Sequence, residues 1–304
     1  MYSRILIPLD GSRLSEGILP WARSIVRAVK TPVELLVAIE PETISAFSNP
    51  EIGRYFDTVG ASMTRDSLAY LEKLGRSFSD SADVHCFAEI GNPAEIIVDR
   101  ASTDRGALIA MATHGRSGVQ RWVLGSVADK VLHAATNHLL LVRPGGGGNG
   151  DGEATLKRVL VPLDGSALAE TVLPHVRALA ETMELEVMLL RVYSMDPYAY
   201  AIGAEGYAPD LEILRADIKG EEAKRYLEEK ADQLRWQGMK NVSHLLLEGN
   251  AAGEIIDVAK GTPDNLVAMC THGRSGVGRW VLGSVTDRVV RHSGDPVLVI
   301  RAKG

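Results

Sequence analysis

Two glycine-bearing segments, residues 113–127 and 271–285, contain the residues of this chain that are best suited to chemistry. Their sequences are the same apart from Gln120, which is Gly278 in the second segment. Each follows a short apolar run that predicts a strand and leads into a stretch that predicts a helix. Unpaired backbone N–H groups and the helix dipole attract anions at such a junction. We therefore predict an anion site, of the kind that holds phosphate, in each segment; the alternative is that the glycines only form a tight connection between strand and helix.

The serine that follows the last glycine of each segment has two interpretations. Ser126 and Ser284 could contact the anion, because a hydroxyl at a helix N-terminus points towards whatever that terminus binds. Ser126-Val-Ala-Asp129 and Ser284-Val-Thr-Asp287 also have the form of a capping box, in which the serine bonds to its own helix. The two roles are compatible, so both stay open.

The charged side chains of the segments favour binding over catalysis. Arg116 and Arg274 can pair with phosphate or stay solvated at the surface. No nucleophile or carboxylate has an evident relation to His114 or His272 in the sequence. We therefore expect these histidines to stabilise the loop through a hydrogen bond.

The composition predicts a globular protein of the cytoplasm with two domains. The chain has 304 residues, 45% of them hydrophobic, and a net charge of −6. The acidic balance argues against a nucleic-acid partner, which needs a basic face. No apolar run approaches the roughly 20 residues of a membrane span, and the N-terminus does not resemble a signal peptide. The two cysteines, Cys86 and Cys270, form neither a disulfide framework nor a metal motif.

An internal repeat organises the chain. Residues 4–12 return with conservative changes at 158–166, which is 154 residues later, and the glycine segments return 158 residues later. This pattern is a tandem duplication of one domain. Between the copies lies a glycine-rich linker. The predicted organisation is a first domain over residues 1–144, a linker over 145–155 and a second domain over 156–304.

Each copy alternates predicted strands with predicted helices. We predict copy-one strands at 5–9, 33–39, 84–89, 106–111 and 138–143, and copy-two strands at 158–162, 185–192, 242–247, 265–269 and 296–301. Pro20 and Pro174 fall inside predicted helices and should bend them. Residues 40–57 show no period and predict a loop.

The alternation predicts the α/β class, with two tandem doubly wound domains. Each domain is an open five-stranded parallel sheet flanked by helices. Ligands bind to such sheets beyond the carboxyl ends of the strands, where the strand order reverses. Asp10 and Met111, and in copy two Asp164 and Met269, end strands there. Either aspartate could accept a hydrogen bond from a base or a ribose, or could serve the Asp-Gly turn.

These residues resemble a known family. Three features are similar to a tandem universal stress protein of the ATP-binding type: the opening Ile5-Leu-Ile-Pro-Leu-Asp-Gly-Ser12, the closing apolar strand, and a loop that matches the family pattern Gly-x2-Gly-x9-Gly-Ser/Thr except at its first glycine. The resemblance covers nearly the whole chain apart from the linker. It implies the fold of the adenine nucleotide alpha hydrolases and a stress-response regulator. It also implies ATP as ligand, with ADP or AMP as alternatives and Mg²⁺ held through the phosphates.

The resemblance also implies which residues hold the nucleotide. Adenine contacts correspond to Pro8, Leu9, Asp10, Ala38 and Met111, and to Pro162, Leu163, Asp164, Val192 and Met269. Phosphate and ribose contacts correspond to Gly115, Gly118, Gly125, Ser126 and Val127, and to Gly273, Gly276, Gly283, Ser284 and Val285. The candidate site further includes Ala112, His114 and Arg116, with Cys270, His272 and Arg274.

The sequence departs from the family pattern at one place in each copy. The first motif glycine is replaced by Ala112 and by Cys270. A residue with a side chain fits there if its φ is in the ordinary negative range. A positive φ would destabilise such a residue by about 1 kcal/mol or more. Family members also pair through their last strands. This predicts intrachain pairing of residues 139–143 with 297–301, and a homodimer is a further option.

Three functions follow from these features. The first is an adenine-nucleotide-binding regulator, with at most slow ATP hydrolysis because no general base or metal cluster is evident. The alternative is an interaction or dimerisation module of the same fold that binds no nucleotide. An enzyme of the related adenylate-forming folds is disfavoured, because the first loop reads Asp10-Gly-Ser-Arg13 and lacks the signatures of those folds.

Overall fold

The chain alternates strands with helices in both copies. The structure is a computed structural model and describes residues 1–47, 55–78, 83–113, 124–143, 154–193, 209–271 and 282–301. It divides into a first unit, Met1–Leu156 with Gly294–Arg301, and a second unit that contains Lys157–Ser293. The last strand of the second copy is therefore counted with the first unit.

The described residues of the first unit form six strands in the order β3-β2-β1-β4-β5-β10. They are β1 Arg4–Leu9, β2 Val33–Ile39, β3 Val84–Ile90, β4 Ala107–Ala112, β5 His138–Val142 and β10 Val297–Ile300. The first five pair in parallel, whereas β10 runs antiparallel to β5 with Leu298 opposite Leu140. Ile5, Leu6 and Ile7 have no exposed surface. Such continuous burial is typical of a parallel sheet covered on both faces.

In the described residues of the first unit, five α-helices connect the strands. They are α1 Leu19–Val29, α2 Pro41–Phe47, α3 Tyr55–Gly75, α4 Pro93–Ser102 and α5 Ser126–Ala134. A short 3-10 helix, Ser15–Ile18, precedes α1. The strand order reverses between β1 and β4, so their carboxyl ends open the crevice in which such folds bind ligands.

The second unit repeats this arrangement, and its described residues form four parallel strands in the order β9-β6-β7-β8. The strands are β6 Arg158–Pro162, β7 Glu186–Tyr193, β8 Val242–Glu248 and β9 Asn265–Cys270. The helices are α6 Ala167–Glu170, α7 Leu173–Met183, α8 Pro209–Trp236, α9 Ala251–Gly261 and α10 Ser284–His292. The predicted α/β class, with parallel strands and helical connections, is confirmed.

Two local predictions are wrong. Pro20 and Pro174 do not bend a helix, because α1 and α7 begin one residue before them and each proline lies in the first turn. A proline is tolerated there since the first-turn N–H groups have no partner inside the helix. Residues 40–57 are not simply a loop, because α2 and the start of α3 occupy most of the described part. Tertiary packing, such as the full burial of Ile44, supports helix where the sequence shows no period.

A buried charge network joins three elements of the first unit away from the crevice. Glu34, only 8% exposed, accepts hydrogen bonds from Arg4 Nη1 at 2.8 Å and from Arg100 Nε at 3.0 Å. The Arg100 guanidinium also lies 3.3 Å from the ring centre of Phe87. A carboxylate is stable at this depth because two cations neutralise it.

Candidate functional site

A cavity of about 300 Å³ opens at the carboxyl ends of β1, β2 and β4 in the first unit. The strand ends supply apolar side chains, and α5 contributes its first turn. Helices α2, α3 and α4 supply further parts of the wall. The lining residues are Pro8, Leu9, Asp10, Ser15, Val37, Ala38, Ile39, Glu40, Thr43, Met63, Ser67, Pro93, Ile97, Met111, Ala112, Thr113, Gly125, Ser126, Val127 and Ala128.

The turn after β1 is built by the side chain of Asp10. Its Oδ1 accepts hydrogen bonds from the backbone N–H of Ser12 at 2.9 Å and from the Ser12 hydroxyl at 2.6 Å. Gly11 has a φ of 79°, which a side chain would disfavour. Asp164 and Ser166 repeat both bonds at the same distances in the second unit. The turn role of the aspartate is therefore real, and its half-buried carboxylate also lines the cavity.

Ala112 and Cys270 fit their places without backbone strain. Each is the last residue of a strand and is buried, at 7% and 5% exposure. Neither is among the non-glycine residues with positive φ in the described part of the chain. Both residues therefore have the ordinary φ at which a side chain is tolerated in place of the first motif glycine. The Cys270 Sγ lies 3.4 Å from Thr171 Oγ1.

The helix after each glycine segment begins without a side-chain cap. The N-cap of α5 is Gly125 and that of α10 is Gly283, so Ser126 and Ser284 are the first helical residues. No side-chain hydrogen bond caps either helix, and the capping-box interpretation is wrong. The backbone instead anchors the glycines: Gly125 N–H donates to Thr113 O at 2.8 Å, and Gly283 N–H donates to Thr271 O at 2.7 Å. Among the described residues, no N-cap side chain therefore occupies the first-turn N–H donors that face the cavity.

The second unit contains a matching cavity of about 270 Å³. Its walls differ from the first at a few positions. Val192 takes the place of Ala38, and Ala169 that of Ser15. Thr286 donates its hydroxyl to Cys270 O at 2.9 Å where copy one has Ala128. The lining residues are Pro162, Leu163, Asp164, Ala169, Leu190, Val192, Ala251, Ile255, Met269, Cys270, Gly283, Ser284, Val285 and Thr286.

The predicted site residues divide into those that line a cavity and those outside the described residues. Those that line the first cavity are Pro8, Leu9, Asp10, Ala38, Met111, Ala112, Gly125, Ser126 and Val127. Those that line the second are Pro162, Leu163, Asp164, Val192, Met269, Cys270, Gly283, Ser284 and Val285. The residues outside the described part are His114, Gly115, Arg116, Gly118, His272, Gly273, Arg274 and Gly276.

The sequence did not predict the part of the cavity wall that comes from α2, from α3 and from Glu40 before α2. Glu40, Thr43, Met63 and Ser67 line the first cavity, although they lie far from the glycine segment in the sequence. The four-residue spacing of Met63 and Ser67 indicates one face of a helix, but not what that face covers. Only the packing of α3 in the folded unit brings this face to the cavity.

The comparisons with known proteins agree with this geometry. The sequence model of the Universal stress protein family matches residues 1–143 and again residues 155–301. The chain belongs to the universal stress protein family. It is a tandem universal stress protein, because the family pattern is present twice in one polypeptide.

Some relatives match one copy of this chain, and others match the whole chain. A universal stress protein of Methanocaldococcus jannaschii is 31% identical over 48% of this chain and 96% of its own length. Another, from Mycolicibacterium smegmatis, is 24% identical over 98% of this chain and 97% of its own. The crystal structure of a universal stress protein from Archaeoglobus fulgidus covers 99% of both chains with a TM-score of 0.67 at 19% identity, which shows a shared fold.

Helix length and composition also bear on membrane insertion. Within the described ranges, no helix of this universal stress protein is both long enough and apolar enough to cross a bilayer.

Proposed function

We propose that this universal stress protein is an adenine-nucleotide-binding regulator with one ATP site in each copy. The observation that carries the proposal is the pair of cavities, each bounded by apolar strand ends and by a helix N-terminus without a side-chain cap. An apolar wall suits the faces of a purine, and an uncapped N-terminus suits phosphate. Volumes of about 300 and 270 Å³ lie at the lower end of the range of small-molecule sites.

The two ends of each cavity have different tasks in this proposal. The ends of β1, β2 and β4 hold adenine and the ribose near Asp10, Ala38 and Met111. The first turn of α5 binds the phosphates, with ADP or AMP as shorter ligands and Mg²⁺ bound through the phosphate oxygens. The glycine, histidine and arginine residues of 114–123 and 272–281 complete the phosphate cradle.

We assign the cavities to binding rather than to turnover. The Asp10 carboxylate lines the first cavity, but its Oδ1 already accepts two hydrogen bonds from Ser12. This arrangement holds the side chain in the turn and does not free it as a general base. We expect any ATP hydrolysis to be slow.

The repeat supports a proposal for how the copies are organised. We propose domains at 1–144 and 156–304 joined by the linker 145–155, in a protein of the cytoplasm. The pairing of β10 with β5 supports association of the two copies through their last strands within one chain. Association of two chains into a homodimer would add to this pairing.

Native mass spectrometry followed by ATP titration tests the proposed function. We expect two ATP molecules per chain when the purified protein is titrated with ATP and magnesium, and weaker uptake of GTP, which serves as the control for base recognition. A protein that takes up no nucleotide at millimolar ATP would refute the proposal and favour an interaction module without nucleotide.

A further inference from the structure

A tyrosine and a glutamate form the same hydrogen bond in each unit. The Tyr70 hydroxyl donates to Glu16 Oε1 at 2.8 Å, and the Tyr226 hydroxyl donates to Glu170 Oε1 at 2.9 Å. The partners are 54 residues apart in copy one and 56 in copy two. The same hydrogen bond therefore forms in both copies, although the segment between its two partners differs in length by two residues. We call the pair Tyr70–Glu16 and the pair Tyr226–Glu170 the tyrosine–glutamate clasps.

The glutamate of the first clasp belongs to the turn that frames the cavity. Glu16 lies in the 3-10 helix Ser15–Ile18 and directly follows Ser15, which lines the cavity. The Ser15 hydroxyl accepts a hydrogen bond from the Asp10 N–H at 3.3 Å and donates to Ser12 O at 2.9 Å. Glu16 is thus tied through its neighbour to the turn at the end of β1.

The tyrosine of the first clasp belongs to the opposite wall. Tyr70 lies on α3, three residues after Ser67 and seven after Met63. Residues at this spacing share one face of a helix, and both Met63 and Ser67 line the cavity. The clasp therefore joins the β1 turn to the α3 wall across the rim of the site.

The second clasp has additional charged contacts. Lys230 Nζ lies 2.6 Å from Glu170 Oε2, and the Arg191 guanidinium lies 4.8 Å from the ring centre of Tyr226. Burial, and then the hydrogen bond to Glu170, raise the pKa of Tyr226. Copy one has Leu74 and Val37 at the places of Lys230 and Arg191. The first clasp is therefore the simpler one to perturb.

We propose that Tyr70 and Glu16 are positioning residues that set the ATP affinity of the first site by holding α3 against the β1 turn. The inference rests on the proposed function, because it concerns the affinity of that same site. Opening the clasp lets the Met63 and Ser67 wall move away from the ligand. The bound state then has to reorder this wall, and the affinity falls.

Isothermal titration of variants with ATP tests the clasp. We expect Tyr70→Phe to weaken one of the two sites about five- to tenfold, as the loss of one hydrogen bond predicts. Glu16→Leu should cause the same loss, and the double variant no further loss, because both changes open one contact. Glu16→Gln keeps a carbonyl acceptor for the tyrosine and should stay within about twofold of wild type.

Tyr2→Phe is the matched control. It removes the hydroxyl of another half-buried tyrosine of the same unit, which lies 3.4 Å from His138 Nδ1 near the amino end of β1. We expect the ATP affinity of Tyr2→Phe to equal that of wild type. ATP binding by wild type with an unchanged affinity in Tyr70→Phe would overturn the clasp alone. An equal loss in Tyr2→Phe would also overturn it, since the effect would then be general destabilisation. Absence of ATP binding by wild type would overturn the proposed function and this inference together.

Discussion

Replacing Gly125 by glutamate places a negative charge at the predicted phosphate position of the first site. Gly125 has a φ of −60° and a ψ of 147°, which any L-residue adopts, so the backbone tolerates the change. An acidic side chain next to a helix N-terminus is also favourable for the helix. We therefore expect Gly125→Glu to fold with a stability close to wild type.

The expected loss of affinity follows from Coulomb repulsion. Gly125 lines the cavity at the first turn of α5, where a new carboxylate would lie within about 5 Å of a phosphate bound there. Two unit charges about 5 Å apart repel by about 1–3 kcal/mol for effective dielectric constants between about 80 and 20, which raises Kd about 5- to 150-fold. In Gly125→Gln the new side chain has nearly the same size as glutamate but no charge. This variant therefore measures the steric part of the affinity loss separately.

Titration calorimetry measures the effect, and the second copy supplies an internal reference. We expect Gly125→Glu to leave one strong ATP site per chain, Gly283→Glu to leave the other, and the double variant to leave none. Gly125→Gln should bind more tightly than Gly125→Glu, by a factor that shrinks as salt is added. Two unchanged sites in both single variants would show that the phosphates do not lie at these helix N-termini.

Three further predictions concern stability. Burial raises the pKa of Asp295 to about 6. The protonated carboxyl therefore stabilises the folded state fully at a pH below the usual carboxyl pKa, and this stabilisation is lost as the pH rises through 6. In urea denaturation, Asp295→Asn should therefore be more stable than wild type at pH 7 and should lose this advantage near pH 4. The same difference in the free energy of unfolding at both pH values would contradict the raised pKa. Glu34→Met copies the residue of the second copy, Met188, and should cost about 2–4 kcal/mol in urea denaturation, because Arg4 and Arg100 both lose the Glu34 carboxylate while Arg100 keeps its ion pair with Glu89; a change below about 1 kcal/mol would contradict the network. Ser126→Ala should alter the free energy of unfolding by less than about 0.5 kcal/mol, since the serine does not cap α5; a loss of about 1 kcal/mol or more would restore the capping role.

The failures of sequence reasoning share a cause. The residues Ser126 to Asp129 have the composition of a capping box, which would make Ser126 the N-cap. The helix instead begins one residue earlier, with Gly125 as its N-cap. Pro20 was predicted within a helix, but the chain first forms the 3-10 helix Ser15–Ile18 and begins α1 beside the proline. Local patterns indicate that a helix start is near. The position of that start also depends on hydrogen bonds such as the one from Gly125 N–H to Thr113 O, whose acceptor directly follows the strand β4.

The sequence by itself determined the duplication, the α/β class and the strands, because repeats and apolar runs are properties of the chain and need no partner. It also predicted which strand ends meet, because parallel strands present their carboxyl ends at one edge. The tertiary structure alone decided that Ala112 and Cys270 sit at ordinary φ, that Ser126 leaves its helix uncapped, and that Tyr70 reaches Glu16. Each of these depends on groups that are distant in sequence or on a register that only packing selects.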